Sequence, residues 1–176
     1  MKFEYQLIPF SPNKTFNVWS ALKVLDHEID VTFTVTGELS KLYIPDGKSN
    51  PQRLDNLWKH TCFETFIKQS SQRNYIEINA SPSGDWALYS FTDYHQGMAN
   101  VSEVNDFKVS SSFDKKKESL KCWYTINLKP FLLPENNLDI GLSCILETNK
   151  GELSYWAINH KNEKPDFHLA SNFIHI

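Results

Sequence analysis

Residues 55–66 read DNLWKHTCFETF and residues 75–89 read YIEINASPSGDWALY, and in both stretches apolar side chains alternate with carboxylates, amides and hydroxyls. Alternation with a period of two is typical of a β-strand with two unlike faces. Proline, serine and glycine at residues 81–84 predict a turn between two such strands. The pattern therefore places Glu64 and Glu77 on strands that are rich in tryptophan and tyrosine.

The same alternation recurs along the chain and predicts the fold class. It is clearest at residues 29–37, 120–128 and 140–147. Further strands are predicted at residues 4–9, 17–25, 61–68, 74–80, 87–91, 107–113 and 153–158, with single helical turns at 49–58 and 128–133 and a turn at 134–137. Nine or ten short strands between turns predict an all-β fold, an antiparallel β-sandwich of the immunoglobulin or jelly-roll kind with little helix. One domain is expected over residues 1–176.

Charge and cysteine content narrow the class of protein. The net charge of −3 and pI of about 6.1 argue against a nucleic-acid partner, which usually requires a basic face. No segment approaches membrane-spanning length, and the start, MKFEYQL, lacks the apolar stretch of an export signal. Cys62, Cys122 and Cys144 are an odd number in apolar strand patterns, which favours buried free thiols. We therefore expect a cytoplasmic protein without a membrane partner; the sequence does not indicate an oligomeric state.

Every second residue of a strand points to the same face, and in two of the predicted strands this rule puts several polar side chains on one face. If the strands are neighbours, Glu64 and Glu77 share that face with Asn79 and Tyr75. Two ionised carboxylates directly opposite each other are unfavourable, so they would be offset, bridged by a cation, or one would be protonated. One interpretation is an aromatic-lined cleft for a sugar; the other is a solvated strand face whose polar residues serve solubility.

The sequence also allows other functions for these glutamates and for residues near the C-terminus. Glu64 and Glu77 could act as the carboxyl pair of a glycosidase. His160, Asp166 and His168 could bind a divalent cation, although an Asp–His hydrogen bond is the commoner role of such residues. Met98, His160 and His168 are available as haem ligands. No cofactor is required by the sequence, and no glycine-rich phosphate loop or hydrolase triad is present.

Several motifs resemble a family of bacterial DOMON-like single-domain proteins. They are LWxxTCFExF at residues 57–66, YxExNxSPxGxWxxYxF at 75–91, YxxGM at 94–98, SYWAxxH at 154–160 and PDFH at 165–168. The wider superfamily includes family 9 carbohydrate-binding modules, and its β-sandwich binds sugars or haem in a cleft on one sheet. The resemblance implies these ligand-binding residues: Trp58, Glu64, Glu77, Asn79, Trp86, Tyr89, Trp156 and His160. It also leads us to expect an arginine where this chain has His95. His95 is therefore a further ligand-binding candidate, which can replace the arginine charge only when protonated.

We therefore expect a non-catalytic β-sandwich that binds a small ligand, a carbohydrate or a sugar-containing metabolite. Trp58, Trp86 and Tyr89 would stack on the sugar, and Glu64 and Glu77 would hydrogen-bond to its hydroxyls, with Asn79 beside them. The alternatives are a haem-binding or redox module, a carboxylate-dependent enzyme on sugar conjugates, and a module whose aromatic face contacts a protein partner.

Overall fold

The computed structural model describes residues 1–131 and 137–176 and shows an antiparallel all-β fold. The strands are β1 Lys2–Pro9, β2 Phe16–Leu25, β3 Glu28–Gly37, β4 Cys62–Gln69, β5 Tyr75–Ala80, β6 Trp86–Phe91, β7 Ala99–Asn100, β8 Ser110–Asp114, β9 Ser119–Asn127, β10 Leu138–Glu147, β11 Leu153–Ala157 and β12 Ile174–His175. Single 3₁₀ turns lie at Leu39–Lys41, Leu57–Lys59, Lys129–Phe131 and Ala170–Asn172. No α-helix occurs in the described ranges, and none of their helical turns could cross a membrane. The expected all-β class is confirmed.

Two curled sheets share strand β1. One sheet runs β1-β2-β3-β9-β8, and the other runs β1-β11-β10-β4-β5-β6-β7, with β12 added beside β10. Residues 2–7 of β1 pair with β2, while Ile8 and Pro9 at its end pair with β11. The faces of the two sheets meet where the rings of Phe33 on β3 and Phe63 on β4 stack at 5.1 Å. This is the sandwich arrangement that the alternation predicts.

The β3 strand shows why alternation produces this core. Ile29, Val31, Phe33 and Val35 are fully buried, and the residues between them are partly exposed. Each buried aliphatic or aromatic side chain of this size stabilises the fold by roughly 1.5–3 kcal/mol relative to an exposed one. The three cysteines are free and buried, as the sequence predicts.

Strands β4, β5 and β6 differ from β3 because both of their faces are covered. Their inward faces join the sandwich core, whereas Phe66, Tyr75 and Tyr89 on the outward faces belong to a second hydrophobic cluster. Residues from outside the sandwich, including Trp58 and Phe167, pack on that cluster. A polar side chain on the outward face is therefore shielded from water instead of solvated.

A few predicted elements differ from the structure. The strand expected at residues 107–113 begins only at Ser110, because Phe107 turns inward to pack on Trp86 and Tyr124. The pattern did not indicate β7 and β12, which have two residues each. Residues 132–136, which include most of the turn predicted at 134–137 and the end of the helical turn at 128–133, lie outside the described residues.

Candidate functional site

Two carboxyl groups form the floor of a cleft on the outward face of β4 and β5. On these neighbouring strands Glu64 lies opposite Asn79, and Glu77 lies opposite Phe66. The two glutamates are therefore diagonal neighbours on the same face of the sheet. Their exposed fractions are only 3% and 5%. The Asn79 amide donates a 2.7 Å hydrogen bond to Glu77, and the Ser143 hydroxyl donates a 3.4 Å bond to Glu64. Both carboxyls are thus buried polar groups, which excludes the solvated-face interpretation.

Burial changes the protonation of this floor. Loss of water raises the pKa of Glu77 to about 7, although the hydrogen bond from Asn79 acts in the opposite direction. Burial and the charge of Glu77 together raise the pKa of Glu64 well above its usual value. At neutral pH the pair therefore retains at least one proton. A protonated carboxyl donates a hydrogen bond while its carbonyl oxygen still accepts one, so the floor can do both.

A neutral imidazole lies beside Glu77. Nε2 of His168 is 3.8 Å from Glu77, and Nδ1 is 2.7 Å from the Tyr75 hydroxyl. Burial, with the nearby His95 ring, lowers the pKa of His168 to about 4. The ring is therefore uncharged near neutral pH and does not neutralise Glu77. This is consistent with the raised pKa of the carboxyl.

Asp166 provides the charged end of the cleft. Burial acts to raise the pKa of Asp166, but the hydrogen bond from Tyr94 and the His95 ring, which lies 3.4 Å away, outweigh burial and lower it. The Asn162 amide donates to the same carboxylate at 2.9 Å. The His95 ring also lies 4.1 Å from the His168 ring. His95 therefore links the ionised Asp166 to the neutral His168.

Aromatic and apolar side chains make the walls. The cleft has a volume of about 620 Å³, within the roughly 300–1,000 Å³ of small-molecule sites. It is lined by Trp58, Glu64, Glu77, Phe91, His95, Met98, Ile145, Tyr155, Asn162, Lys164, Pro165, Asp166, Phe167 and His168. Trp58 is held by an edge-on contact with Tyr89 at 6.1 Å, and the Tyr89 hydroxyl donates to Asp55 at 2.7 Å.

Four residues implied as ligand-binding line this cleft: Trp58, Glu64, Glu77 and His95. Asn79 and Tyr89 lie behind them. Asn79 is fully buried and holds Glu77, whereas Tyr89 is 2% exposed and holds Trp58. We assign these two a positioning role.

Trp86 and Trp156 were expected to bind the ligand, but the structure places both on the core face of the sheet. One register row crosses five strands as Trp156–Cys144–Phe63–Ala80–Trp86. Since Phe63 is at the centre of the sandwich, every member of the row faces the core. Trp86 is 5% exposed, packs on Phe107 and lies beneath the Arg53 guanidinium at 4.5 Å. Trp86 therefore cannot stack on a ligand in this cleft, contrary to the expectation.

His160 also lies outside the cleft. Its Nε2 is 3.0 Å from the Ile8 carbonyl oxygen, and its ring is edge-on to Phe10 at 5.3 Å. His168, the other candidate haem histidine, has its ring nitrogens directed to Tyr75 and Glu77. Met98, the third candidate haem ligand, lines the cleft, and the haem-binding alternative stays a prediction. Across residues 1–131 and 137–176, no group of three or more His, Cys, Asp or Glu side chains is arranged to hold a metal ion.

The sequence pattern missed several lining residues. Tyr155 pairs with Ile145 and faces the cleft, whereas its neighbour Trp156 faces the core. The sequence does show two adjacent aromatic residues, which must lie on opposite faces of a strand. Only the pairing register shows which of the two faces the cleft. Phe167 reaches the cleft from the irregular segment after β11, where no periodicity predicts its direction.

Solved structures share this fold at low sequence identity. A candidate carbohydrate-binding protein from Bacteroides uniformis ATCC 8492 superposes with a TM-score of 0.66 and 14% identity, over 97% of this chain and 84% of that one. A family 9 carbohydrate-binding module from Caldicellulosiruptor kristjanssonii, in complex with cellotriose, gives a TM-score of 0.53 and 12% identity, over 92% and 74%. No protein-family model and no curated protein matches the sequence. These likenesses show the fold; neither structure is described as DOMON-like, so that resemblance stays a prediction.

Proposed function

We propose that this protein is a non-catalytic module that binds a small carbohydrate in the cleft above Glu64 and Glu77. The observation that carries the proposal is a buried carboxyl pair at the floor of an aromatic-walled cleft. Burial raises the pKa of both carboxyls, which favours their protonated form. Sugar hydroxyls both donate and accept hydrogen bonds, and such a pair offers both functions side by side. The apolar C–H face of a sugar ring can then lie on Trp58 or Phe167.

The electrostatics support a neutral ligand over an anion. Among the described residues that line the cleft, three are acidic, Glu64, Glu77 and Asp166, and one, Lys164, is a lysine or arginine. The pKa of Asp166 is lowered, so this carboxyl is ionised near neutral pH and repels a carboxylate or phosphate in the cleft. The similarity in fold to a carbohydrate-binding module in complex with cellotriose supports the proposal independently of the residues in the cleft.

The test is a titration with neutral mono- and disaccharides, followed by tryptophan fluorescence and by calorimetry. We expect saturable binding, weakened about tenfold or more in Trp58→Ala, a loss of roughly 1.4 kcal/mol. The matched control is Trp123→Ala, which removes an exposed tryptophan from β9 on the other sheet. If no sugar binds at millimolar concentration, or if both variants behave alike, the proposal fails.

A second candidate is a carboxylate-dependent enzyme on sugar conjugates. The observation in its favour is the pKa of Glu77, about 7, which suits a general acid near neutral pH. The assay is hydrolysis of chromogenic glycosides by the wild type and by Glu77→Gln, which preserves the hydrogen bond from Asn79 but cannot transfer a proton. Turnover that disappears in the variant would favour this candidate, and identical traces from both proteins would dismiss it.

A further inference from the structure

A second groove adjoins the cleft on the outer side of β11. It has a volume of about 510 Å³ and shares Tyr155 and Pro165 with the cleft as lining residues. The loop after β1, represented by Phe10 and Asn13, forms one side, and Leu153 with the preceding turn forms the other. The two spaces are therefore neighbours that meet at Tyr155 and Pro165.

Strand register makes this groove an extension of the apolar wall. Pro9 pairs with Trp156, and the Phe10 amide donates to the Tyr155 carbonyl at 2.8 Å, so Phe10 lies opposite Tyr155. Directly opposite residues of antiparallel strands put their side chains on the same face. Leu153, two residues before Tyr155, lies on that face as well and is 40% exposed. An aromatic and aliphatic strip thus runs out of the cleft into the groove.

The rim of the groove is preorganised. The Asn13 side-chain oxygen accepts hydrogen bonds from the backbone amides of Thr15 at 2.9 Å and Phe16 at 3.1 Å. Across the groove, the Thr148 hydroxyl accepts from the Glu152 amide at 3.2 Å. Both turns are fixed by their own side chains, so a ligand would order little additional backbone on binding. The Asn13 amide and the Glu152 carboxylate offer polar contacts on this rim.

We propose that the groove is a second subsite for the same glycan, so that the protein binds a neutral oligosaccharide that spans Tyr155. This inference rests on the proposed function of the cleft. Each space is large enough for a small ligand, and the shared residues allow one linear chain to occupy both. Glu152 in the groove adds a further acid to those of the cleft, which favours an uncharged chain.

The experiment measures affinity against chain length, with cello-oligosaccharides from glucose to the hexasaccharide as the probe and the xylose and maltose series in parallel. For the wild type we expect affinity to rise by about tenfold or more between the monosaccharide and the longer chains. Leu153→Ser and Phe10→Ala should remove this gain while leaving monosaccharide affinity unchanged. Leu153 is exposed, so its variant tests the groove even if loss of the Phe10 ring lowers stability.

The matched control is Leu25→Ser, at the other end of β2 from Phe16, where an equally exposed leucine is far from the groove along the strand. It should retain the full chain-length gain. If monosaccharides bind but affinity does not depend on length, or if Leu153→Ser keeps the gain, the second subsite is wrong and the cleft proposal stands. If no sugar of any length binds, both proposals fall together.

Discussion

Glu64 and Glu77 lie diagonally across the β4–β5 pair, with Glu64 opposite Asn79 and Glu77 opposite Phe66. Diagonal positions of an antiparallel pair are roughly 7–8 Å apart, so two acids share a face without direct opposition. The sequence predicted an offset, a bridging cation or a proton for this pair. The structure shows the offset, and burial provides the reason for the proton.

Glu77→Gln should stabilise the protein at higher pH. Burial raises the pKa of Glu77 from 4.5 to about 7, so the folded state resists deprotonation and the carboxyl progressively destabilises the fold as pH rises through that window. At 1.36 kcal/mol per pKa unit this amounts to about 3 kcal/mol. Glutamine keeps the acceptor for Asn79 and does not ionise. In urea unfolding, the free-energy advantage of the variant over wild type should grow across the window and level off near about pH 8.

Glu152→Gln is the control for that series, because Glu152 is exposed at the turn between β10 and β11. Its difference from wild type should be small at every pH. A constant difference between Glu77→Gln and wild type across the window would contradict a buried, proton-holding carboxyl at residue 77.

Trp86→Ala should destabilise the fold, because Trp86 lies in the core beside Phe107. Replacing a buried tryptophan with alanine typically costs about 3–5 kcal/mol. Urea or thermal unfolding measures the loss, and Trp19→Ala, at a 47% exposed tryptophan on β2, is the matched control. Equal midpoints for the two variants would show that Trp86 does not support the core.

His95→Arg should strengthen sugar binding. The His95 ring lies 3.4 Å from Asp166 and is one of the groups that lower the pKa of that carboxyl. An arginine binds a carboxylate through two parallel hydrogen bonds, so it should hold Asp166 more firmly at the charged end of the cleft. Calorimetric titration with the sugar measures the change in affinity. His60→Arg, beside Glu147 and away from the lining residues, should leave the affinity unchanged; an unchanged affinity in His95→Arg as well would refute the role of the ring.

Gly141→Ala should weaken the support of the cleft floor. A methyl group at Gly141 would come within 2.5 Å of the Phe173 ring, which packs on Phe66 at 5.9 Å. Overpacking of a buried site costs roughly 1–3 kcal/mol. Gly47→Ala is the control, since a methyl group there meets nothing within 4 Å. Urea unfolding should separate the two variants, and an unchanged midpoint for Gly141→Ala would show that the Phe173 ring moves aside freely.

Local pattern was sufficient for the longer strands and for the residues that share a face on each of them. Period-two alternation over β3 predicted which of its residues face the core, because strand geometry sends successive side chains to opposite sides. The same rule put Glu64 and Glu77 on one face. It also places Trp86 and Tyr89 on opposite faces, three residues apart, although both were expected to bind the ligand together.

The position of the cleft could not be predicted from the sequence. Alternation separates the two faces of β4, β5 and β11, but it does not show which face meets the opposite sheet and which is covered by other segments. That choice depends on a register row from Trp156 to Trp86 and on contacts such as Tyr75 with His168, which are 93 residues apart. The irregular segment that carries Asp166, Phe167 and His168 has no period, so its position over the floor follows from long-range packing. Residue order therefore specified strands and carboxyl spacing, whereas packing between distant segments buried the carboxyls and gave the cleft its chemistry.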